Sequence, residues 1–324
     1  MSLVAQSPGF LATVQDAGRF GYQRFGVPVS GPMDAFAHAT ANRLVGNDPG
    51  AAALEFAYSG PVLEARADCV VALAGVGFAL EVDGAPHAAW MAVRARAGAT
   101  LSVVSAQRAG WGYLAVSGGI DNPPVMGSRA TYTRASFGGL EGRPLREGDL
   151  LPIGANRAVI DPAGTSLPEV YRPAYTLHPL LRVISGPQQD AFTAEGWQAF
   201  TGSAYTLTTT ADRMGYRLEG QPVAHRTGAD ILSDGIVFGA VQIPSSGQPI
   251  VMMSDRQTAG GYTKIAVVIR ADLPLLAQCQ PGISQVRFQP VTVEEAQRAY
   301  RAQMAALRQG IQQPLEEYEY YASA

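Results

Sequence analysis

Residues 236–270, IVFGAVQIPSSGQPIVMMSDRQTAGGYTKIAVVIR, contain three short apolar runs separated by polar or glycine-containing turns. The runs at 236–243, 250–253 and 265–270 are rich in valine and isoleucine, which favour β-strands. Each run is too short for a typical helix, and proline, glycine and serine mark the turns between them. Short strands at this spacing are typical of barrels and sandwiches, and they argue against a parallel sheet covered by helices.

Similar apolar runs occur along the rest of the chain. They predict further strands at residues 78–82, 101–104, 111–116, 181–184, 205–209 and 286–288. The sequence therefore favours a mainly β fold over its whole length.

Two segments have helical spacing instead. The first spans about residues 32–45, with Ser30 or Gly31 as its expected N-cap and proline in its first turn. The second begins with a capping box at residues 292–295, Thr-x-x-Glu, and ends at Gly310. We expect these to be the main helices of an otherwise β-rich chain.

A short internal similarity indicates two related domains. Residues 19–29, RFGYQRFGVPV, match residues 213–223, RMGYRLEGQPV, at six of eleven positions without a gap. We predict an N-terminal β-barrel domain that contains the first helix, a C-terminal β-barrel domain that contains the terminal helix, and a tail, at residues 1–175, 176–310 and 311–324. The acidic, aromatic tail is either a disordered end or a docking strand.

The basic residues exclude several kinds of chemistry. Of the 24 basic residues in this 324-residue chain, Lys264 is the only lysine and the other 23 are arginine. Lys264 does not close a glycine-rich phosphate loop, and it does not lie between the two methionines that normally flank a biotin-bearing lysine. We therefore expect no P-loop and no biotin attached to this chain. We interpret Lys264 as a surface residue at the end of a strand, the alternative being an ammonium donor in a binding site.

Composition and motifs narrow the protein class further. A net charge of −3 gives no case for nucleic-acid or membrane partners, and Cys69 and Cys279 form no disulfide framework. The four histidines lack metal-ligand spacing, and HExxH, GxSxG and GxGxxG are absent, so no metal site is predicted. The first residues lack the pattern of a signal peptide, and we expect a cytoplasmic protein.

Three polar segments have the residues for chemistry on an anion. Residues 13–24 combine amide, carboxylate and guanidinium groups with glycines, either to bind an anion or to form a β-bend in which Asp16 pairs with Arg19. Asp34 and His38 lie one helical turn apart, as an acid–base pair or as a cap and a surface histidine. Residues 254–264, SDRQTAGGYTK, join two strands, and this loop binds an anionic substrate or connects the domains.

At these segments the chain resembles a known family. Residues 13–56 begin TVQDAGRFGYQRFGVPVSGPMDAF, and together with blocks at 113–149 and 231–282 they resemble the KipA family, also called allophanate hydrolase subunit 2. The resemblance runs from about Val4 to Ala299. It implies cyclophilin-like β-barrel domains and kinship with the carboxyltransferase domain of urea carboxylase.

The resemblance also implies an activity and partners. It points to the C subunit of an ATP-dependent 5-oxoprolinase, which opens 5-oxo-L-proline to L-glutamate together with a LamB/YcsF-like subunit and a KipI-like subunit. ATP is used by the complex, and its binding to this chain is left open. The alternatives are a non-catalytic regulatory protein that binds a KipI-like partner and a carboxyltransferase that acts on carboxybiotin.

Residue chemistry and the family motifs together give the candidate site. We predict three catalytic residues, Asp34, Asp255 and Arg256. The predicted substrate-binding residues are polar or aromatic and lie in the same motifs: Gln15, Arg19, Arg24, Asn42, Arg213, Tyr216, Gln257, Thr258 and Tyr262.

Overall fold

The N-terminal strands form two antiparallel sheets in a computed structural model that describes residues 1–155 and 161–312. The strands are β1 Ser2–Ser7, β2 Thr13–Gln15, β3 Ala53–Ala57, β4 Val62–Ala65, β5 Cys69–Gly75, β6 Phe78–Val82, β7 Ala85–His87, β8 Met91–Ala95, β9 Thr100–Ser105, β10 Trp111–Val116 and β11 Leu150–Pro152. One sheet has the order β11-β1-β4-β9-β6-β7, and the other has the order β2-β3-β10-β5-β8.

Strand β5 shows how the layers stack. Because alternate side chains of a strand point to opposite faces, Val71 and Leu73 lie in the core between the two sheets. Val70, Ala72 and Ala74 lie on the other face, in a second core. Burial of both faces explains why this strand reads as an uninterrupted apolar run.

The C-terminal strands form a closed barrel. Its order is β12-β19-β16-β17-β14-β13-β20, with bounds β12 Leu180–Ser185, β13 Tyr205–Leu207, β14 Gly215–Glu219, β16 Ala240–Gln242, β17 Ile250–Met252, β19 Lys264–Val268 and β20 Gln285–Pro290. A separate two-stranded sheet consists of β15 Asp230–Gly235 and β18 Ala259–Tyr262. The mainly β fold is confirmed: the C-terminal strands close into a barrel, whereas the N-terminal strands form a two-sheet sandwich.

Four α-helices accompany the strands in the described residues: α1 Ala35–Leu44, α2 Ala194–Gly202, α3 Leu273–Ala277 and α4 Val293–Gly310. Helix α1 packs between the second sheet and the barrel, and its buried side chains share one hydrophobic core with both. The two halves of the chain are therefore joined by a continuous core.

Both predicted helices exist, and one boundary was wrong. Helix α4 starts with the expected capping box, in which Thr292 and Glu295 exchange hydrogen bonds. Helix α1 starts later than predicted, because Asp34 is its N-cap instead of Ser30 or Gly31. The Asp34 side chain accepts hydrogen bonds from two amides of the first turn, which neither earlier residue does.

One further prediction is corrected, and the two similar segments differ in local structure. The strand expected at residues 236–243 is limited to β16, because Gly239 adopts a left-handed backbone (φ 85°) and turns the chain just before it. The similar segments 19–29 and 213–223 differ locally: the first contains a short 3₁₀ helix, Gln23–Phe25, and the second contains strand β14. Of the predicted tail, residues 313–324 lie outside the described residues.

Candidate functional site

A cleft of about 570 Å³ lies between the sandwich and the barrel. Its wall on the sandwich side includes Phe10, Tyr58, Trp111 and Arg134, and its wall on the barrel side includes Asp212, Arg213, Tyr216 and Asp255. We call it the carboxylate cleft. It combines an apolar wall with charged groups, which is typical of small-molecule sites.

Arg213 and Asp255 form the central ion pair of this cleft. The guanidinium donates from Nε to Oδ2 of Asp255 at 2.8 Å and from Nη2 to Oδ1 at 3.0 Å. The Asp255 amide also donates to the Arg213 carbonyl at 2.7 Å, so backbone and side chains are both joined. This two-point contact fixes the orientation of the Asp255 carboxylate.

Arg213 also connects the barrel to the sandwich. Its Nη1 pairs with Oε1 of Glu55 on β3, and its Nη2 donates to the Gly31 carbonyl at 2.7 Å. The side chain of Glu55 is fully buried, and its Oε2 accepts from the Met33 amide at 2.8 Å and from the Tyr113 hydroxyl at 2.7 Å. One guanidinium therefore bridges two buried carboxylates from different halves of the fold.

Asp34 belongs to the network behind the cleft. Its Oδ1 accepts from the amides of Phe36 and Ala37, and its Oδ2 accepts from the Tyr175 hydroxyl at 2.8 Å and from Nε2 of Gln278 at 2.9 Å. Asp34 is fully buried and is not part of the cleft wall. The structure therefore gives Asp34 a capping and positioning role, in place of the predicted contact with substrate.

The pKa values of the buried charged groups in this network are shifted by burial and by ion pairing. Burial raises the pKa of Glu55, although Arg213 opposes that rise, and burial likewise raises the pKa of Asp34. Burial works against the charge on Arg213, but Asp255 and Glu55 together raise its pKa above the ordinary value. Burial favours the neutral form of a carboxyl group and a paired guanidinium favours its charged form, so the two effects oppose each other at Glu55.

Tyr216 supports the cleft wall. Its hydroxyl accepts from Nε1 of Trp111 and donates to the Ala277 carbonyl, both at 3.0 Å. With both hydrogen bonds made, Tyr216 holds the indole in place. The Arg213 guanidinium lies 5.9 Å from the centroid of the same Trp111 ring system.

A second cleft, of about 730 Å³, lies between α1, the barrel and α4. Its lining is mostly apolar and includes Phe36, Phe238, Leu273 and Met304, together with Arg256. We call it the apolar cleft. Arg256 lines this cleft and Asp255 lines the carboxylate cleft, so the structure separates two adjacent residues that the sequence assigned to one site.

The predicted residues of the opening segment lie elsewhere. Gln15 and Arg19 are fully buried, and Arg19 donates to the carbonyls of Val125, Ser128 and Ala130. Arg19 therefore serves to hold a loop of the sandwich. Arg24 is exposed and covers the Phe25 ring, and it lines neither cleft.

The remaining predicted residues are also outside the carboxylate cleft. Asn42 is fully buried and donates to the Ala51 carbonyl at 2.9 Å. Tyr262 belongs to strand β18, and Gln257 and Thr258 directly precede that strand. Of the residues predicted from sequence, only Arg213, Tyr216 and Asp255 meet in this cleft.

The prediction for Lys264 was wrong. Its side chain is only 3% exposed, and Nζ donates to Oδ2 of Asp234 at 2.6 Å. The lysine begins β19, where its side chain pairs with an acid from the neighbouring two-stranded sheet. Lys264 is thus a buried structural cation.

Sequence reasoning missed four members of the network: Glu55, Tyr113, Tyr175 and Gln278. The sequence does contain a signal for Glu55, because a single carboxylate within the apolar strand ALEFA indicates a buried, paired acid. It contains no such signal for Tyr113 and Gln278, since a tyrosine in a strand and a glutamine after a helix are common. Their roles follow only from the elements that the fold brings together.

Metal clusters and membrane-spanning helices are both absent from the part of the chain that the structure describes. Within residues 1–155 and 161–312, no cluster of three histidine, cysteine or acidic side chains is arranged to hold a metal ion. No helix in those same ranges combines the length and the hydrophobicity needed to cross a membrane.

Comparison with known proteins gives consistent matches. The profile of the carboxyltransferase domain, subdomains A and B, matches residues 25–290. The chain is 39% identical to the C subunit of 5-oxoprolinase from Escherichia coli (strain K12) over 304 residues, which cover 93% of this chain and 95% of that protein.

Two solved structures also match this chain. The structure of TTHA0988 matches with a TM-score of 0.79 at 38% identity, over 89% of this chain and 55% of that one. The K. lactis urea amidolyase matches with a TM-score of 0.88 at 27% identity, over 96% of this chain and 21% of that one. This chain thus spans about half of the first solved protein and about a fifth of the second.

Proposed function

This chain belongs to the carboxyltransferase domain family, subdomains A and B, and we propose that it works as the C subunit of an ATP-dependent 5-oxoprolinase. The observation that carries the proposal is its 39% identity to a protein of that name over nearly the full length of both chains. The proposed reaction opens 5-oxo-L-proline to L-glutamate in a complex with a LamB/YcsF-like subunit and a KipI-like subunit.

The carboxylate cleft supports this proposal. Its volume of about 570 Å³ lies in the range of small-molecule sites, and Phe10, Tyr58 and Trp111 offer an apolar wall for a ring. Each Asp255 oxygen accepts one hydrogen bond from Arg213, which leaves lone pairs for a substrate N–H or for an attacking water. We therefore assign Asp255 the role of orienting that group or accepting its proton.

Arg213 is a poor candidate for binding the substrate carboxylate, because Asp255, Glu55 and Gly31 already occupy its three nitrogens. Arg134 is better placed. It lines the same cleft, its side chain is 56% exposed, and its present partner is Asp212 at 3.0 Å. We assign the substrate carboxylate to Arg134.

The charged side chains of the carboxylate cleft balance, because Arg134 pairs with Asp212 and Arg213 pairs with Asp255. We assign ATP no site in this cleft, and we route no step of the chemistry there through ATP.

Reconstitution tests the proposal. The full chain, mixed with its LamB/YcsF-like and KipI-like partners, 5-oxo-L-proline and ATP, should release glutamate, and omission of this chain should abolish the release. Equal glutamate formation with and without this chain, in a mixture in which both partners are active, would exclude a catalytic contribution. The chain would then be a regulatory protein that binds a KipI-like partner.

A second candidate is a carboxyltransferase that acts on carboxybiotin carried by another protein. It is favoured by the family profile and by the structural match to urea amidolyase. This candidate predicts that the purified chain speeds the decarboxylation of free carboxybiotin. The 5-oxoprolinase proposal predicts no such effect, so the two assays separate the candidates.

A further inference from the structure

The apolar cleft is the cavity that Arg256 lines and that its neighbour Asp255 does not. Helix α1, the barrel strand β19 and helix α4 form its walls, and its volume of about 730 Å³ suits a small molecule. Three large apolar side chains stand exposed among its lining residues, with exposed fractions of 64% for Phe20, 55% for Val237 and 49% for Val293. Exposed apolar groups grouped at one cavity are typical of a binding site.

The charged residues of the lining are all of one sign. They are Arg256 and Arg270, and no aspartate or glutamate of residues 1–155 and 161–312 lines the cleft. Among the described residues, neither arginine forms an ion pair, and each guanidinium covers an aromatic ring, Phe238 at 5.4 Å and Tyr300 at 5.0 Å. The cleft thus presents positive charge on an apolar surface.

Arg256 is poorly satisfied in this position. Its Nε and Nη1 donate to the carbonyls of Ile236 and Met253, both at 3.3 Å, the long end of hydrogen-bond distances. Burial lowers the pKa of Arg256 to about 10, although the Asp255 carboxylate opposes that fall. The partly buried guanidinium makes two long hydrogen bonds and no ion pair to a described residue, so it has donors left for an anion.

Ser30 adds an independent polar feature. It lines the same cleft, its hydroxyl is buried without a hydrogen-bond partner among the described residues, and its backbone is left-handed, with φ of 56°. Unsatisfied polar groups and strained backbone both concentrate at functional sites.

We propose that the apolar cleft binds a small amphipathic anion, with one carboxylate on an apolar body. Arg256 pairs with the carboxylate, and the side chains of Phe36, Phe238, Leu273 and Met304 pack against the apolar body. This site is separate from the proposed 5-oxoprolinase chemistry, because Asp255 and Arg213 do not line it. Its test therefore needs no turnover assay.

Binding of two matched probes to the full chain, measured by calorimetry, tests the proposal. Octanoate and octanamide have the same apolar body, and only octanoate carries a charge. We expect octanoate to bind at least about tenfold more tightly, because a hydrogen bond to a charged partner is the stronger kind. Equal binding of the two probes, or no octanoate binding at millimolar concentration, overturns the proposal.

Three variants locate the site. Arg256→Met should remove the preference for octanoate and retain binding of octanamide. Arg24→Met is the matched control, since Arg24 also covers a phenylalanine ring but lies outside the cleft, and it should leave the preference intact. Met304→Trp, which fills the cleft, should abolish binding of both probes. A preference that survives both Arg256→Met and Met304→Trp places the anion elsewhere and overturns the assignment.

Discussion

The two clefts use arginine in opposite ways, although the residues that distinguish them are adjacent in the chain. In the carboxylate cleft, Arg213 holds Asp255 and Glu55 in a buried ion cluster. In the apolar cleft, Arg256 covers the Phe238 ring without an ion pair to any described residue. The difference shows that a motif of consecutive polar residues can serve two sites, since the chain turns between them.

The largest expected effect is a difference in the free energy of unfolding between variants of Arg213 and of Arg256. Arg213→Met leaves Glu55 and Asp255 buried without their partner, and we expect a loss of about 3–5 kcal/mol in the free energy of unfolding. Arg256→Met removes an unpaired guanidinium from apolar surroundings, and we expect it to be neutral or stabilising by roughly 1 kcal/mol.

Urea unfolding of both variants at pH 7 measures this difference. In the Arg213→Met background, Glu55→Gln should recover part of the loss, because it removes one of the stranded carboxylates. Similar losses for the two single variants would contradict the distinction between the clefts.

The second expected effect is a loss of stability against unfolding at acid pH. His38 lines the apolar cleft, and burial lowers its pKa from 6.5 to about 4. Between pH 4 and pH 6.5 the unfolded chain therefore binds more protons at His38 than the folded chain does. The neutral, buried His38 contributes its full share to the free energy of unfolding above pH 6.5, and about 3 kcal/mol of that share is lost as the pH falls to 4. The raised pKa values of Glu55 and Asp34 act in the opposite direction.

Urea unfolding at a series of pH values isolates the histidine. The loss of stability between pH 7 and pH 4 should be smaller in His38→Gln than in the unchanged protein by about 3 kcal/mol. Parallel curves for the two proteins would mean that His38 is not held neutral by burial.

The third effect tests chemistry in the carboxylate cleft. Asp255→Asn keeps the shape of the side chain and removes its ability to take a proton, so glutamate formation by the assembled complex should fall about 100-fold. Asp190→Asn, at an exposed position, serves as the control. Gel filtration should show intact complexes for both, and unchanged turnover in Asp255→Asn would make the Arg213–Asp255 pair purely structural.

The fourth effect tests how substrate is held. Arg134→Ala should raise the KM for 5-oxo-L-proline about tenfold with little change in kcat, because a contact made equally in substrate and transition state affects binding alone. Steady-state kinetics of the complex measures both constants. A fall in kcat at unchanged KM would reassign Arg134 to the reaction step.

The smallest expected effect is the coupling between Arg134 and Asp212. Both side chains are about half exposed, and such pairs contribute roughly 0–1 kcal/mol. A double-mutant cycle with Arg134→Ala and Asp212→Ala isolates the pair, since Asp212 also accepts from the Met214 and Gly215 amides. A coupling above that range, or one that 1 M salt leaves unchanged, would show that the pair is shielded from solvent.

The sequence predicted local structure well where one rule decided the outcome. Strand β10, Trp111–Val116, was predicted with its observed bounds, and the capping box at Thr292 and Glu295 marked the start of α4. The predicted boundaries of α1 and of the strand at 236–243 were wrong, because a single nearby residue set each of them. Asp34 took the cap of α1 because its side chain reaches the first-turn amides, and residues 236–239 left the strand because Gly239 turns the chain.

The candidate site was predictable only in part. Arg213, Tyr216 and Asp255 were predicted and meet in one cleft, whereas Glu55, Tyr113, Tyr175 and Gln278 were missed. Arg19 shows the reason for the errors: a guanidinium in a glycine-rich segment suits an anion, but here Nε and Nη2 donate to three backbone carbonyls inside the fold.

By itself, the sequence determined the mainly β fold, helices α1 and α4, and the lack of a P-loop motif around the single lysine. Strand length, capping residues and residue counts are local properties that a sequence states directly. Only the tertiary structure decided that Asp255 and Arg256 face different clefts, that Lys264 is buried, and that Glu55 shares Arg213 with Asp255. The physical reason is that burial and ion pairing depend on elements far apart in the chain, such as β3 and the loop before β14, which meet only when the core forms.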